Sequence, residues 1–233
     1  MRMRVRGKSE IRLATVVAVA GLALALAAGA GAAGTPTRGA VVDGNARFEV
    51  ITPTLIRLEY AADGSFESRP SQTTAERLDK RPPRFRTRVG SGGAIRVIRT
   101  SKAILRWERD SGPFAAGSLR LRVGKRKLAP RPGPNPKPLG GWRRSLDLEE
   151  GPVPLNEGML SKTGWYLLDD SETALITRSA AGFAERPERD GAYQDLYLFA
   201  YGRDYERGLR DLRTLTGASP ILPRKAFGVW FSR

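Results

Sequence analysis

Apolar and polar residues alternate with a period of two along much of this chain, the spacing of half-buried β-strands. Ala46 to Ile51 reads as one strand and Thr54 to Tyr60 as the next, with Thr52-Pro53 between them. In the second, Leu55, Arg57 and Glu59 alternate with Ile56, Leu58 and Tyr60. Further strands are predicted over 84–89, 94–100, 103–109, 118–123, 164–168, 173–177 and 196–201. Residues 129–141 carry Pro130, Pro132, Pro134, Pro136 and Pro138. Alternating prolines cannot join a ladder of backbone hydrogen bonds, so this stretch is an extended surface loop. The pattern then changes: Asp204 caps a helix running through Tyr205, Leu209, Leu212 and Leu215, with Gly217 as its stop. A last apolar run, Ala226 to Phe231, reads as a strand buried on both faces. Many short strands with frequent turns argue for a mainly β chain built as a β-sandwich.

Composition narrows the chemistry. The 233 residues contain no Cys and no His, which excludes disulfides, thiolate nucleophiles, Cys/His zinc sites and Ser-His-Asp machinery. Carboxylates remain as the main acid–base groups, with Lys and Tyr behind them. No cofactor and no metal is implied. Residues 1–33 have the form of a signal peptide. Arg2, Arg4, Arg6, Lys8 and Arg12 precede an apolar run from Leu13 to Ala28, and small residues follow. The expected location is secreted or periplasmic, with no membrane contact after cleavage.

The formal net charge of +16 is concentrated between Arg69 and Arg144, where 21 bases meet four acids. These bases alternate with apolar residues, as in Leu119-Arg120-Leu121-Arg122-Val123. That is the solvent side of a half-buried sheet, and this reading ranks above a polyanion-binding face, with an acidic cell-wall polymer as a secondary possibility. There is no nucleic-acid motif and little aromatic interleaving for base stacking, so no nucleic-acid partner is expected.

Five stretches resemble glycoside hydrolase family 31, the α-glucosidase and α-xylosidase family. They are 52–60 with 63–72, then 139–147, 158–165 with 169–171, 193–197 with 201–205, and 222–233. The resemblance implies a galactose-mutarotase-like β-sandwich, one α-helix, and the first strand of an otherwise missing (β/α)8 barrel. The implied organisation is a signal peptide over 1–33, a sandwich over 34–202, a helix and linker over 203–223, and the start of the barrel over 224–233. The family's catalytic aspartates lie on later barrel strands. No position here matches them, so no catalytic residue is assigned. The implied partners are an oligosaccharide or α-glycoside substrate and the barrel itself.

Four residues are candidates for touching sugar. Trp165 and Trp142 offer rings for stacking, against the alternative that each is a packing anchor. Asp169 and Asp170 could bind a hydroxyl over the barrel mouth, although adjacent carboxylates in a turn more often form the turn itself, Asp170 bonding its own backbone. The Tyr193-Gln194-Asp195 cluster suits a sugar and equally suits tying down a loop. The competing function is a stand-alone carbohydrate-binding module.

Overall fold

The computed structural model describes residues 35–37, 39–77, 81–90, 92–143, 145, 147–178, 182–219 and 221–228. The signal-like segment and Trp230 lie outside them. Among the described residues no helix is long and apolar enough to cross a membrane.

The alternating segments pair into two main antiparallel sheets. The six-stranded sheet runs in the order β1 (Thr35–Thr37), β5 (Phe85–Val89), β6 (Ile95–Arg99), β7 (Ala103–Glu108), β8 (Leu119–Val123), β9 (Arg126–Leu128). The five-stranded sheet has β13 (Tyr193–Phe199) between β10 (Tyr166–Asp169) and β4 (Leu55–Ala61), then β3 (Ala46–Thr52) and β2 (Ala40–Asp43). A small hairpin joins β11 (Leu175–Ile176) to β12 (Phe183–Ala184). Among the described residues the fold is a β-sandwich with one α-helix, α1 (Tyr205–Thr216).

Alternation sends one set of side chains from each sheet into a shared core. Phe48, Ile56, Leu58, Leu196 and Leu198 come from one side, and Ile98, Leu105, Trp107, Leu119 and Leu121 from the other. Phe114 closes the middle, its ring 5.9 Å from Phe48 and 6.2 Å from Trp107.

The five-stranded sheet is covered on its outer face as well. Ile51, Leu55, Tyr197, Phe199, Tyr201 and Leu215 form a second cluster there, with Tyr205 and Leu212 of α1 against it. Asp204 accepts from the Arg207 N–H at 3.0 Å and caps α1, and Gly217 ends it at φ +90°. The helix turns Asp211 inward, where it accepts from the Thr52 hydroxyl at 2.8 Å and from that of Thr54. Leu209, read as part of the apolar stripe, is exposed.

One expected element differs. Arg224–Phe227 form a 3-10 turn where a strand was expected from Ala226. The Ala226 N–H donates to the Pro223 carbonyl at 2.8 Å, so the chain closes on itself after proline. Residues 229–233 lie outside the described set.

Candidate functional site

A phenol helps hold the long loop after β9 to the sandwich, beside the Gly202 N–H, which donates to the Gly164 carbonyl at 2.7 Å. The Tyr201 hydroxyl accepts from the Ser161 N–H at 2.8 Å and lies within hydrogen-bond reach of the Met159 and Trp165 carbonyls, at 3.1 and 3.2 Å. Burial pushes its ionisation up to about 12. Two loop arms then pair: Leu139 N–H donates to the Leu160 carbonyl at 3.0 Å, and Asn156 N–H to that of Trp142 at 2.8 Å. Gly141 allows this approach, because a Cβ there would lie 2.6 Å from the Gly158 nitrogen. Trp142 sits at the tip of this support, 56% exposed.

Trp165 sits differently. It is 5% exposed and packs in the inter-sheet core, the anchor arrangement. Asp169 and Asp170 diverge at the end of β10, as neighbours on a strand must. Asp169 is exposed, and its Oδ1 accepts from the Ser171 N–H at 3.0 Å, forming a local turn. The Asp169 side chain thus bonds nearby backbone, while the Asp170 carbonyl accepts from the Thr173 N–H at 3.2 Å. Asp170 is buried: its carboxylate accepts from the Ser71 hydroxyl at 2.9 Å and from Arg186 at 3.0 Å. Trp142 and Asp169 are both accessible but sit on separate loops, with no hydrogen bond between them.

Asp170 belongs to a network that spans the charged half of the outer face. Arg57 grips Asp195 with two bonds, 2.6 and 2.7 Å long. Arg186 reaches Asp195 at 3.1 Å. Arg47 donates to Glu59 through Nε at 2.7 Å, and Arg77 holds Glu49 at 2.9 Å. The Tyr193 hydroxyl donates to Glu59 at 2.9 Å. Arg57 is only 1% exposed, yet desolvation is outweighed by Asp195, and its pKa stands well above the usual arginine value. Burial raises the Asp170 carboxyl above the ordinary range. Burial, then the Asp195 charge, likewise raises Tyr193. In Glu67 the hydrogen bond from Arg69 dominates, and the carboxyl falls to about 2.

Chemically, this arrangement fixes loops. A retaining glycosidase needs one carboxylate free to attack and one free to give up a proton. Asp170 and Asp195 share Arg186, and Glu59 accepts from Arg47, Tyr193 and the Glu67 N–H. Among the described residues no three acids gather to hold a metal ion. Gln194 takes its place in the fold too: it accepts from the Phe114 N–H at 2.6 Å and lies 3.2 Å from the Phe114 carbonyl. The Tyr193-Gln194-Asp195 cluster thus ties down loops.

The sequence reading missed Arg57, Glu59 and Arg186 as a unit. Arg57 and Glu59 read only as one parity of an alternating strand, and Arg186 lies in the loop after β12. The available signal was acids and bases on one parity of strands that otherwise read as buried.

No family model and no curated protein matches the chain. Among solved structures, it is similar to a GH31 dextranase of Flavobacterium johnsoniae, a mutant complexed with isomaltotriose. The TM-score is 0.44 and the identity 17%, covering 83% of this chain and 29% of that one. For the same dextranase complexed with glucose the TM-score is 0.43 and the identity 16%, with the same coverage. The chain therefore spans 29% of the length of these neighbours.

Proposed function

We propose that this chain is the N-terminal, substrate-site-supporting sandwich of a secreted glycoside hydrolase acting on α-glycosidic bonds, inactive by itself. One observation carries the reading: stretches that resemble family 31, scattered through the sequence, bond to one another in the fold. Arg57 of the first binds Asp195 of the fourth. Ser71 of the first binds Asp170 of the third. Tyr201 of the fourth binds Ser161 and lies against Met159, both of the third. Leu139 of the second binds Leu160 of the third.

In this reading each part has its role. The sandwich, and the loop that Tyr201 staples to it, present Trp142 and Asp169 to solvent beside the partner barrel. The barrel supplies nucleophile and acid/base, and Trp165 anchors from within. The test is the reading frame beyond Arg233. A continuing frame that encodes a barrel with two apposed aspartates is expected, and a stop codon directly after Arg233 contradicts the proposal.

Exposure of Trp142 also favours a second reading, a stand-alone carbohydrate-binding module. Retention of the purified chain on starch or xyloglucan, lost in Trp142→Ala, would favour it. Absence of retention on both ends it.

A further inference from the structure

The outward face of the six-stranded sheet arranges its cations in two straight rows that cross the strands. Register places Arg86, Arg99, Ile104, Arg122 and Lys127 side by side in the first. Arg88, Val97, Arg106 and Arg120 form the second. At roughly 4.8 Å per strand the first row is about 19 Å long, and the second lies about 7 Å from it.

All seven charged residues in these rows are exposed. Among the described residues none has an acidic partner, and Arg120 donates only to the Gly117 and Leu119 carbonyls. Three like-charged pairs stand directly opposite each other: Arg86 with Arg99, Arg106 with Arg120, and Arg122 with Lys127. Such pairs destabilise a sheet. Arg57, Arg96 and Arg186, by contrast, each sit on a carboxylate. This face therefore holds repulsion that an external polyanion would relieve.

Each row borders a shallow hollow. One, of about 370 Å³, lies between Arg99, Lys102 and Arg122 with Ile104 in its floor. The other, of about 340 Å³, is lined by Arg88, Arg106 and Arg120 with Glu108 at its side, over Ile95 and Val97. These volumes fall at the small end of ligand sites. Val97 is buried beneath the arginine stems.

We infer that this face binds a carboxylated polysaccharide laid across the strands, with its carboxylates on the guanidinium rows and its rings over the apolar floors. Planar guanidinium forks fit carboxylates two bonds at a time. Single-stranded nucleic acid needs aromatic platforms, and neither row contains an aromatic residue. Insertion into a bilayer needs apolar side chains standing above the charges, whereas here they lie below them. The site is separate from the Trp142 loop and does not depend on the glycosidase reading.

The test uses the purified full chain with polygalacturonate as the probe, dextran as the neutral control, and duplex DNA and anionic vesicles as competitors. Polygalacturonate is expected to bind, with affinity falling steeply as salt rises, and dextran is not. The double variants Arg106→Ala/Arg120→Ala and Arg99→Ala/Arg122→Ala should each weaken binding at least tenfold. Arg203→Ala/Arg213→Ala removes equal charge from around α1 and should change it less than twofold. Thermal melts should show all variants folded, since every altered side chain is exposed. Equal losses in the control variant, absence of polygalacturonate binding, or tighter binding of DNA or vesicles through the same arginines would each overturn the inference.

Discussion

Both main sheets carry arginine at alternating outward positions, and the two outer faces treat it in opposite ways. On the five-stranded sheet Arg57 is 1% exposed and held by Asp195, with Glu49 and Glu59 nearby. On the six-stranded sheet Arg106 faces Arg120 in open solvent. The strand patterns do not differ enough to explain this. Cover does: Ser71, Arg77, Asp170 and Arg186 come from loops that fold over one face only. Buried charge is tolerated where each ion meets its opposite, and exposed charge is tolerated because water screens it. The first face is bound internally, and the second remains available to a partner.

The sharpest way to break this contrast is to remove one buried cation. Arg57→Ala leaves Asp195 buried without its main partner and should cost about 3–5 kcal/mol, read from urea unfolding. A cost under about 1 kcal/mol would mean that water replaces the guanidinium and that the face is wetter than its burial implies. Next in size is Tyr201→Phe, which strands the buried Ser161 N–H. A loss of about 1–3 kcal/mol is expected, with faster proteolysis in residues 139–160. Unchanged proteolysis would show that the loop is not held by this phenol.

Acid separates the paired carboxylates by sign. Glu67 falls to about 2 from an ordinary value of 4.5, so its stabilisation is complete above pH 4.5 and is lost as pH drops toward 2. Asp170 and Asp211 are raised by burial, so their contribution is complete below 3.8 and declines as pH rises through their folded values. The melting difference between the wild type and Glu67→Gln should therefore shrink between pH 5 and pH 2. A constant difference would remove Glu67 from the acid response. The smallest effect belongs to the exposed face: Arg106→Ala should change stability by no more than about 0.5 kcal/mol, with any shift toward higher stability as repulsion is relieved.

Local signals carried much of the fold. Strands β3, β4, β7 and β8 follow period-two runs closely, and Asp204 and Gly217 bound α1 as their chemistry requires. Edge strands β2 and β9 escaped notice because three or four residues hold too little periodicity. At Ala226 and Phe227 the apolar run begins as a 3-10 turn, which Pro223 sets up by accepting from the Ala226 N–H; the rest of the run, 229–231, lies outside the described residues. The Arg57 network was the hardest to read. Its acids and bases lie up to 138 residues apart, and no local pattern encodes which loop covers which strand. Trp142 and Trp165 were equivalent in the sequence, and only the finished core separates them.

Hydrolysis of aryl α-glucosides by the purified chain tests the account most directly. With its buried carboxylates held by arginines and hydroxyls, the chain should show no turnover above buffer. Turnover that co-purifies with the chain and disappears in Asp169→Asn would contradict the supporting role and place the chemistry on this sandwich.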